Sequence, residues 1–535
     1  MSTMTIPYKN AGYFSQIICD YIDKDSSLND FYGNFPDIEG FKSQIDLKKA
    51  SYSLENRKVL LNALGEQYKG IVKSTETIAN LSDLAKENTF TITTGHQLNI
   101  FTGPLYFLYK IVSTINLTKR LKKEFPRFNF VPIYWMATED HDFEEINYFK
   151  LKGEKIKWNR NSSGAVGHLK TTDFDPVFEQ FSALIGTSKN ATYLKELFEK
   201  SYLEHSNLTT ATRYLVNEIF GDKGLVIVDG DDIHLKSLLS PFVKEDLLKN
   251  TSFNEVSKSI QELKNLDKGY KIQVNPREIN LFYLKDGLRE RMIEKDNQFV
   301  INNTDIVFSK EAILLELEKY PERFSPNVIM RPLFQEVILP NLCYVGGGGE
   351  IAYWFELKRY FDSVNVPFPI LLLRNSALII SKKQLDKSNK LGLNLADLFK
   401  NQQQLIVDKV KEKSSIKIDF SDQREVLKVQ FDNLKKLAEQ TDKSFIGAVI
   451  AQERKQLNGL DILEKRLLKA QKRTMYDMVT RIQTLQNQLF PNNSLEERSL
   501  NFSEYYEQYG DVLYESLFDA LDPLKLEFTV VEMPV

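Results

Sequence analysis

Four short apolar runs, each ending in glycine, acidic or otherwise polar residues, punctuate the first 380 positions. Thr89–Thr94 (TFTITT) ends in Gly95 and precedes a helical pattern from about Pro104 to Leu121. Phe130–Ala137 (FVPIYWMA) ends in Glu139, Asp140, His141 and Asp142. Gly224–Val228 (GLVIV) ends in Asp229, Gly230, Asp231 and Asp232, and Ile370–Leu373 follows a proline-rich turn. Near-continuous apolar runs of this kind read as strands buried on both faces. Their alternation with helices predicts an α/β protein with a Rossmann-like open parallel sheet. Residues 1–85 carry helical spacing, as in Val59, Leu60, Ala63 and Leu64.

The gaps between these strands are uneven. Residues 150–220 and 241–325 are longer than a crossover requires, so each is expected to be an inserted subdomain. The core then comprises 1–149, 221–240 and 326–380. From about Ser381 glycine becomes scarce, and apolar residues recur at steps of three and four. One stripe is Leu427, Phe431, Leu434 and Ala438; another runs through Ile446, Ile450, Leu457, Leu460 and Leu467 to Met478, Ile482, Leu485 and Leu489. Such a stripe describes a coiled-coil arm over 381–495. A single helix from Ile446 to Leu489 would be ~65 Å long. It needs an antiparallel hairpin or a partner chain to cover its stripe, and a homodimer through the arm is expected. The remaining 496–535 returns to the core, with Leu526–Glu532 extended.

Composition narrows the class. The 535 residues are 42% hydrophobic and 27% charged, ordinary for a globular chain, with a formal net charge of −3. The basic residues are scattered, so no nucleic-acid footprint is present. Two cysteines, Cys19 and Cys343, give no disulfide framework and suit a reducing compartment. The start lacks the pattern of a signal peptide, and Phe368–Ile380 is broken by Arg374 and too short to span a bilayer. A cytoplasmic protein without membrane partners is expected. No Walker loop, HExxH or GxSxG occurs around a plausible centre, which disfavours P-loop kinases, common zinc proteases and serine hydrolases.

Ligands of open parallel sheets bind beyond the carboxyl ends of the strands, and that rule selects three segments. In Thr94–Pro104 (TGHQLNIFTGP), Gly95 and Gly103 admit close backbone approach, while His96, Gln97 and Thr102 offer contacts to an anion. A plain helix start with Thr102 as cap explains the same letters. Lys110 stands two turns further, which reads as too far along.

In Thr138–Glu145 (TEDHDFEE), six ionisable groups crowd behind a strand. Such crowding favours a site over a helix N-terminus that merely complements the dipole. Glu139, Asp140, His141 and Asp142 are the catalytic candidates. His141 is placed as general base, and Asp140 or Asp142 as a contact for a nucleotide's Mg²⁺, with no permanently bound metal. In Gly346–Trp354 (GGGGEIAYW), four consecutive glycines give up backbone entropy, and their N–H groups can cradle an anion. Gly346, Gly347, Gly348, Gly349, Glu350, Tyr353 and Trp354 are binding candidates, with Arg331 and Gln335 upstream. Trp354 taken alone reads as core rather than as a ligand contact. Asp229, Asp231, Asp232 and His234, and the Ser381–Lys383 turn, are weaker candidates; His168 and His205 receive no role.

These segments resemble the bacillithiol biosynthesis cysteine-adding enzymes. The resemblance rests on TGHQLNIFTGPLYFLYKI (Thr94–Ile111), VPIYWMATEDHDFEEIN (Val131–Asn147), FSPNVIMRPLFQE (Phe324–Glu336) and YVGGGGEIAYW (Tyr344–Trp354). It implies a ligase that joins cysteine through an amide bond to the amine of glucosaminyl-malate. It further implies a Rossmann core, two connecting subdomains and a dimerising coiled coil. His96 stands where the family commonly has glutamine, and Gly348 where it commonly has proline. ATP with Mg²⁺ is implied by the reaction rather than by any motif. The alternative reading is a metal-dependent phosphoesterase or amide hydrolase built on Glu139–Asp140–His141–Asp142.

Overall fold

A computed structural model describes residues 3–534. Its core is a five-stranded sheet of β1 (Thr89–His96), β2 (Asn129–Met136), β3 (Val226–Asp229), β4 (Asn341–Gly346) and β5 (Ile370–Leu373). All four pairings are parallel, and the spatial order is β5-β4-β1-β2-β3. Every residue of β1, β4 and β5 is buried, as expected for strands covered on both faces. Phe90, Ile92, Leu342, Val345, Ile370 and Leu372 form one core cluster with Leu117 and Leu121. The last two lie on α1 (Tyr106–Glu124), the crossover after β1.

Strand order reverses between β1 and β4, so the crevice beyond their carboxyl ends is the switch point where such sheets bind ligands. The apolar runs of the sequence predict four of the five strands and miss β4. Its apolar centre is only Leu342–Val345, between Pro340 and the glycine run, too short to stand out. Two further helices frame the crevice. Asp232 caps α2 (Ile233–Lys249) by accepting from the backbone of His234 and Leu235, which gives it a structural role. After α3 (Met330–Ile338) and β4, α4 (Gly348–Phe355) begins inside the glycine run.

Residues 150–220 hold three helices, Asp175–Leu184, Lys189–Tyr202 and Leu208–Phe220, beside the hairpin Tyr148–Leu151/Glu154–Lys157. Within 241–325 lies a five-stranded antiparallel sheet, which includes Leu281–Lys285, Leu288–Lys295 and Phe324–Pro326. The tail strand Glu527–Met533 pairs antiparallel with Thr3–Pro7, and Thr529 N–H donates to Ser376 O.

Residues 380–494 form a second compact unit. Here α5 (Ser421–Ala438) packs on α6 (Lys443–Thr474), so the stripe is covered within the chain as a hairpin. Phe431, Ala438 and Val449 make its buried seam, flanked by Leu427 and Ile446. Leu434 and Ile450, expected in the seam, are exposed. The single long helix is interrupted at Met475 (φ −99°, ψ 29°), after which comes α7 (Tyr476–Leu489). The break lets Ile482, Leu485 and Leu489 bury, while Gln486 Nε2 donates to Leu398 O and Lys400 O at 3.0 Å. Ser381 caps the helix Lys382–Lys390, and Lys382 and Lys383 are solvated. Among the described residues no helix is long and apolar enough to cross a membrane.

Candidate active site

A cavity of about 810 Å³ opens at the switch point. The acidic segment after β2 and the glycine turn after β4, some two hundred residues apart in sequence, both line it: Glu139, Asp140 and His141 on one side, Gly347–Glu350 on another. Gly95, His96, Gln97, Arg331 and Tyr353 line it too. The lining also carries Lys110, Arg277, Arg289, Arg291, Arg374 and Arg498, so cations outnumber carboxylates and the cavity suits anionic ligands.

The floor is a polar network across the two central strands. Lys110 Nζ lies 2.6 Å from Glu350 Oε2 and donates to Gly95 O at 2.7 Å. Tyr344 O–H donates to Glu350 Oε1 at 2.7 Å, and Gly347 N–H donates to Oε2 at 2.8 Å. Burial alone would push Glu350 up, but Lys110 and these donors hold it at about 2; burial lowers Lys110. Lys110 is only one turn into α1, because the helix starts at Tyr106 rather than Pro104. Arg331 donates to Tyr353 Oη at 3.3 Å and to Gln335 Oε1 at 3.2 Å, and its guanidinium lies over the Trp135 and Tyr344 rings.

The acidic segment is firmly held. Glu139 pairs with Lys236 of α2 at 2.7 Å, and Lys236 also pairs with Asp231 at 3.0 Å. Asp231 in turn meets His168 Nε2 at 2.7 Å. Burial and the neighbouring Asp231 carboxylate raise Asp229 to about 6, while Thr138 O–H donates to it at 2.5 Å. Asp140 accepts from the backbone of His141 and Asp142 and from Gln97 Nε2.

His141 Nδ1 meets the Arg289 guanidinium at 2.6 Å. An arginine can only donate, so Nδ1 is the acceptor and the neutral ring carries its proton on Nε2. Arg289 is fixed by Ser325 Oγ and stacks 4.0 Å over Phe282. Burial first, then Arg289, lowers the His141 pKa.

Several sequence candidates fall elsewhere. Thr102 and Gly103 neither line the cavity nor cap α1. Phe101, Thr102 and Gly103 all have positive φ, and Asn501 Nδ2 braces the turn by donating to Phe101 O and Gly103 O at 2.7 Å. A Cβ on Gly103 would meet Asn99 Cβ at 2.6 Å, so glycine is required there for packing. Gly346 ends β4, Gln335 is buried behind Arg331, and Trp354 is core, stacked on Tyr344 with ring centroids 4.7 Å apart. Asp142 lies outside the cavity, exposed. Of the expected Mg²⁺ contacts only Asp140 borders it. No group of three His, Cys, Asp or Glu among the described residues is arranged to hold a metal.

Two kinds of lining residue escape a reading of the sequence. Arg374 stands one residue past β5, where the strand-end rule itself points. Arg277, Arg289 and Arg291 arrive from the inserted segment and Arg498 from the tail, and no local pattern announces that return.

The chain matches two family models: the N-terminal Rossmann-like domain of the bacillithiol biosynthesis protein BshC over residues 1–375, and its C-terminal coiled-coil domain over 377–533. Three similar proteins carry the name "Putative cysteine ligase BshC". That of Flavobacterium johnsoniae is 54% identical over 531 residues, covering 99% of this chain and 100% of its own. That of Christiangramia forsetii is 56% identical, covering 99% of both. That of Flavobacterium psychrophilum is 54% identical, covering 99% and 100%.

Proposed function

The chain belongs to the bacillithiol biosynthesis BshC family and is a ligase; from that premise we propose that it joins cysteine to the glucosamine amine of glucosaminyl-malate in the cytoplasm, with ATP activating the cysteine carboxylate. The observation that carries this reading is the shared cavity: a histidine-bearing acidic segment and a glycine turn meet at the switch point among excess cations. Both the nucleotide and the malate moiety are anionic, and the cavity's charge complements them.

Amide formation in water is uphill, so the carboxylate needs a leaving group. In the proposed route a cysteine carboxylate oxygen attacks the α-phosphorus of ATP and pyrophosphate leaves. The amine nitrogen then attacks the acyl carbon; the C–N bond forms as the C–O bond to AMP breaks. Gly347–Gly349 and Gly95 let backbone approach the phosphates, and Arg331 supplies charge. Magnesium arriving with ATP would neutralise phosphate charge, with Asp140 as its protein contact.

The amine must lose a proton, and His141 is the proposed acceptor. Arg289 holds Nδ1 of that ring. A substrate carboxylate competes for that guanidinium, frees Nδ1 and makes the ring more basic, so the base is armed only with substrate present. The arm, whose hairpin leaves Val426, Val429, Ile462 and Leu463 exposed, is proposed to join two copies of the chain.

Deleting the gene and measuring cellular small thiols by mass spectrometry tests the assignment. Accumulated glucosaminyl-malate without bacillithiol is expected, whereas unchanged bacillithiol would reject it.

A further inference from the structure

We infer that the cavity corner between His96, Arg374 and the Gly347–Gly349 turn is an oxyanion subsite, which takes a phosphate or carboxylate group of a substrate. It deepens the ligase reading, but its geometry stands independently of it. Arg374 comes directly after β5 and is 4% exposed. Its backbone N–H donates to Gly346 O at 2.8 Å, which ties it to the glycine turn. Nη1 donates to Asn375 O and Ser376 Oγ, and Nη2 pairs with Glu497 at 2.7 Å. Nε has no acceptor, although it is buried and borders the cavity. A Cβ placed on Gly347 would lie 3.8 Å from it, so the free donor faces the turn.

His96, at the end of β1, is 8% exposed, and its Nε2 likewise has no partner. Its ring is wedged against Tyr106 and Phe107. Burial, then the nearby Lys110 ammonium, lowers its pKa to about 3, so the ring is neutral and offers a hydrogen bond without charge. Buried polar atoms without partners are costly, so two on the lining of one cavity point to a ligand that pairs with both. The first N–H groups of α4, at Gly348 and Gly349, add orphan donors and the positive end of the helix dipole. Glu350 and Glu497 are already neutralised by Lys110 and Arg374. At the rim Arg498 is exposed and has no ion pair among the described residues, which leaves its charge for the ligand.

The full chain is titrated calorimetrically with inorganic pyrophosphate and separately with malate. Pyrophosphate is expected to bind, with affinity falling roughly tenfold or more in His96→Ala. In Arg498→Ala the loss should be about threefold and should shrink as salt rises. His96→Gln, which keeps a neutral donor, should bind as the unchanged protein does. The same losses seen with malate instead would assign the corner to the carboxylate-bearing substrate. Should His96→Ala fail a melting control, Arg498→Ala on the exposed rim carries the test. Wild-type affinity for both probes in the folded variants overturns the subsite. Pyrophosphate binding at this corner in a protein that forms no amide would reject the ligase reading alone.

Discussion

Lys110 Nζ and Glu350 Oε2 lie 2.6 Å apart, so the crossover helix after β1 is fastened to the helix after β4 directly beneath the cavity. Lys110 is 3% exposed and also holds Gly95 O. Lys110→Met would strand the Glu350 carboxylate and should destabilise the fold by roughly 2–3 kcal/mol, less than for a fully enclosed pair because Glu350 meets the cavity. Adding Glu350→Gln should restore part of that loss. Denaturant titration checks both. The folded Glu350 pKa, about 2, is below its unfolded value, so its contribution is present above pH ~4.5 and is lost as pH falls toward 2.

Burial, and after it the Arg289 guanidinium, depresses the His141 pKa. A base works above its own pKa, so Arg289→Gln should move the acid limb of the kcat/KM profile to higher pH, toward the ordinary histidine value. Replacing His141 by Ala should lower turnover by roughly 10²-fold or more. An unmoved limb in the first variant, or unchanged turnover in the second, would remove His141 from the proton transfer.

Lys236 is 1% exposed and lies between Glu139 and Asp231. Lys236→Met would leave two carboxylates without their cation and should cost about 3–5 kcal/mol of stability. Chemical denaturation measures it. Wild-type stability would mean that the network contributes nothing net.

The exposed apolar side chains of α5 and α6 predict a self-association surface. Val429→Glu with Ile462→Glu should convert a dimer to a monomer in sedimentation while leaving the melting temperature of the Rossmann unit within a few degrees. A wild-type protein that sediments as a monomer would reject the proposed pairing.

Much of the site is legible because glycine and charged residues punctuate the strand ends. Apolar runs ending in Gly95 and Glu139 mark β1 and β2 directly, and the unusual glycine run marks the turn after β4, although β4 itself is too short to see. Period alone could not decide how the arm's stripe is covered, and Val449 rather than Ile450 takes the seam because the hairpin sets the helix rotation. The arginines resist for a different reason. Arg289 and Arg291 sit in a strand of an inserted sheet, and their arrival at the cavity, with Arg289 against His141, depends on tertiary return rather than on neighbours in sequence. Thr102 looks like a cap and an anion contact; it caps no helix and lies outside the cavity lining, in a turn where Phe101–Gly103 all have positive φ.

The most direct test incubates the purified full chain with cysteine, ATP, Mg²⁺ and glucosaminyl-malate, and its products are identified by mass spectrometry. Formation of cysteinyl-glucosaminyl-malate with AMP and pyrophosphate is expected, falling sharply in both His141→Ala and Glu350→Gln, which alter the acidic segment and the glycine turn that share the cavity. A folded protein that forms no such product, or one whose product formation ignores both substitutions, would contradict a shared site at the switch point.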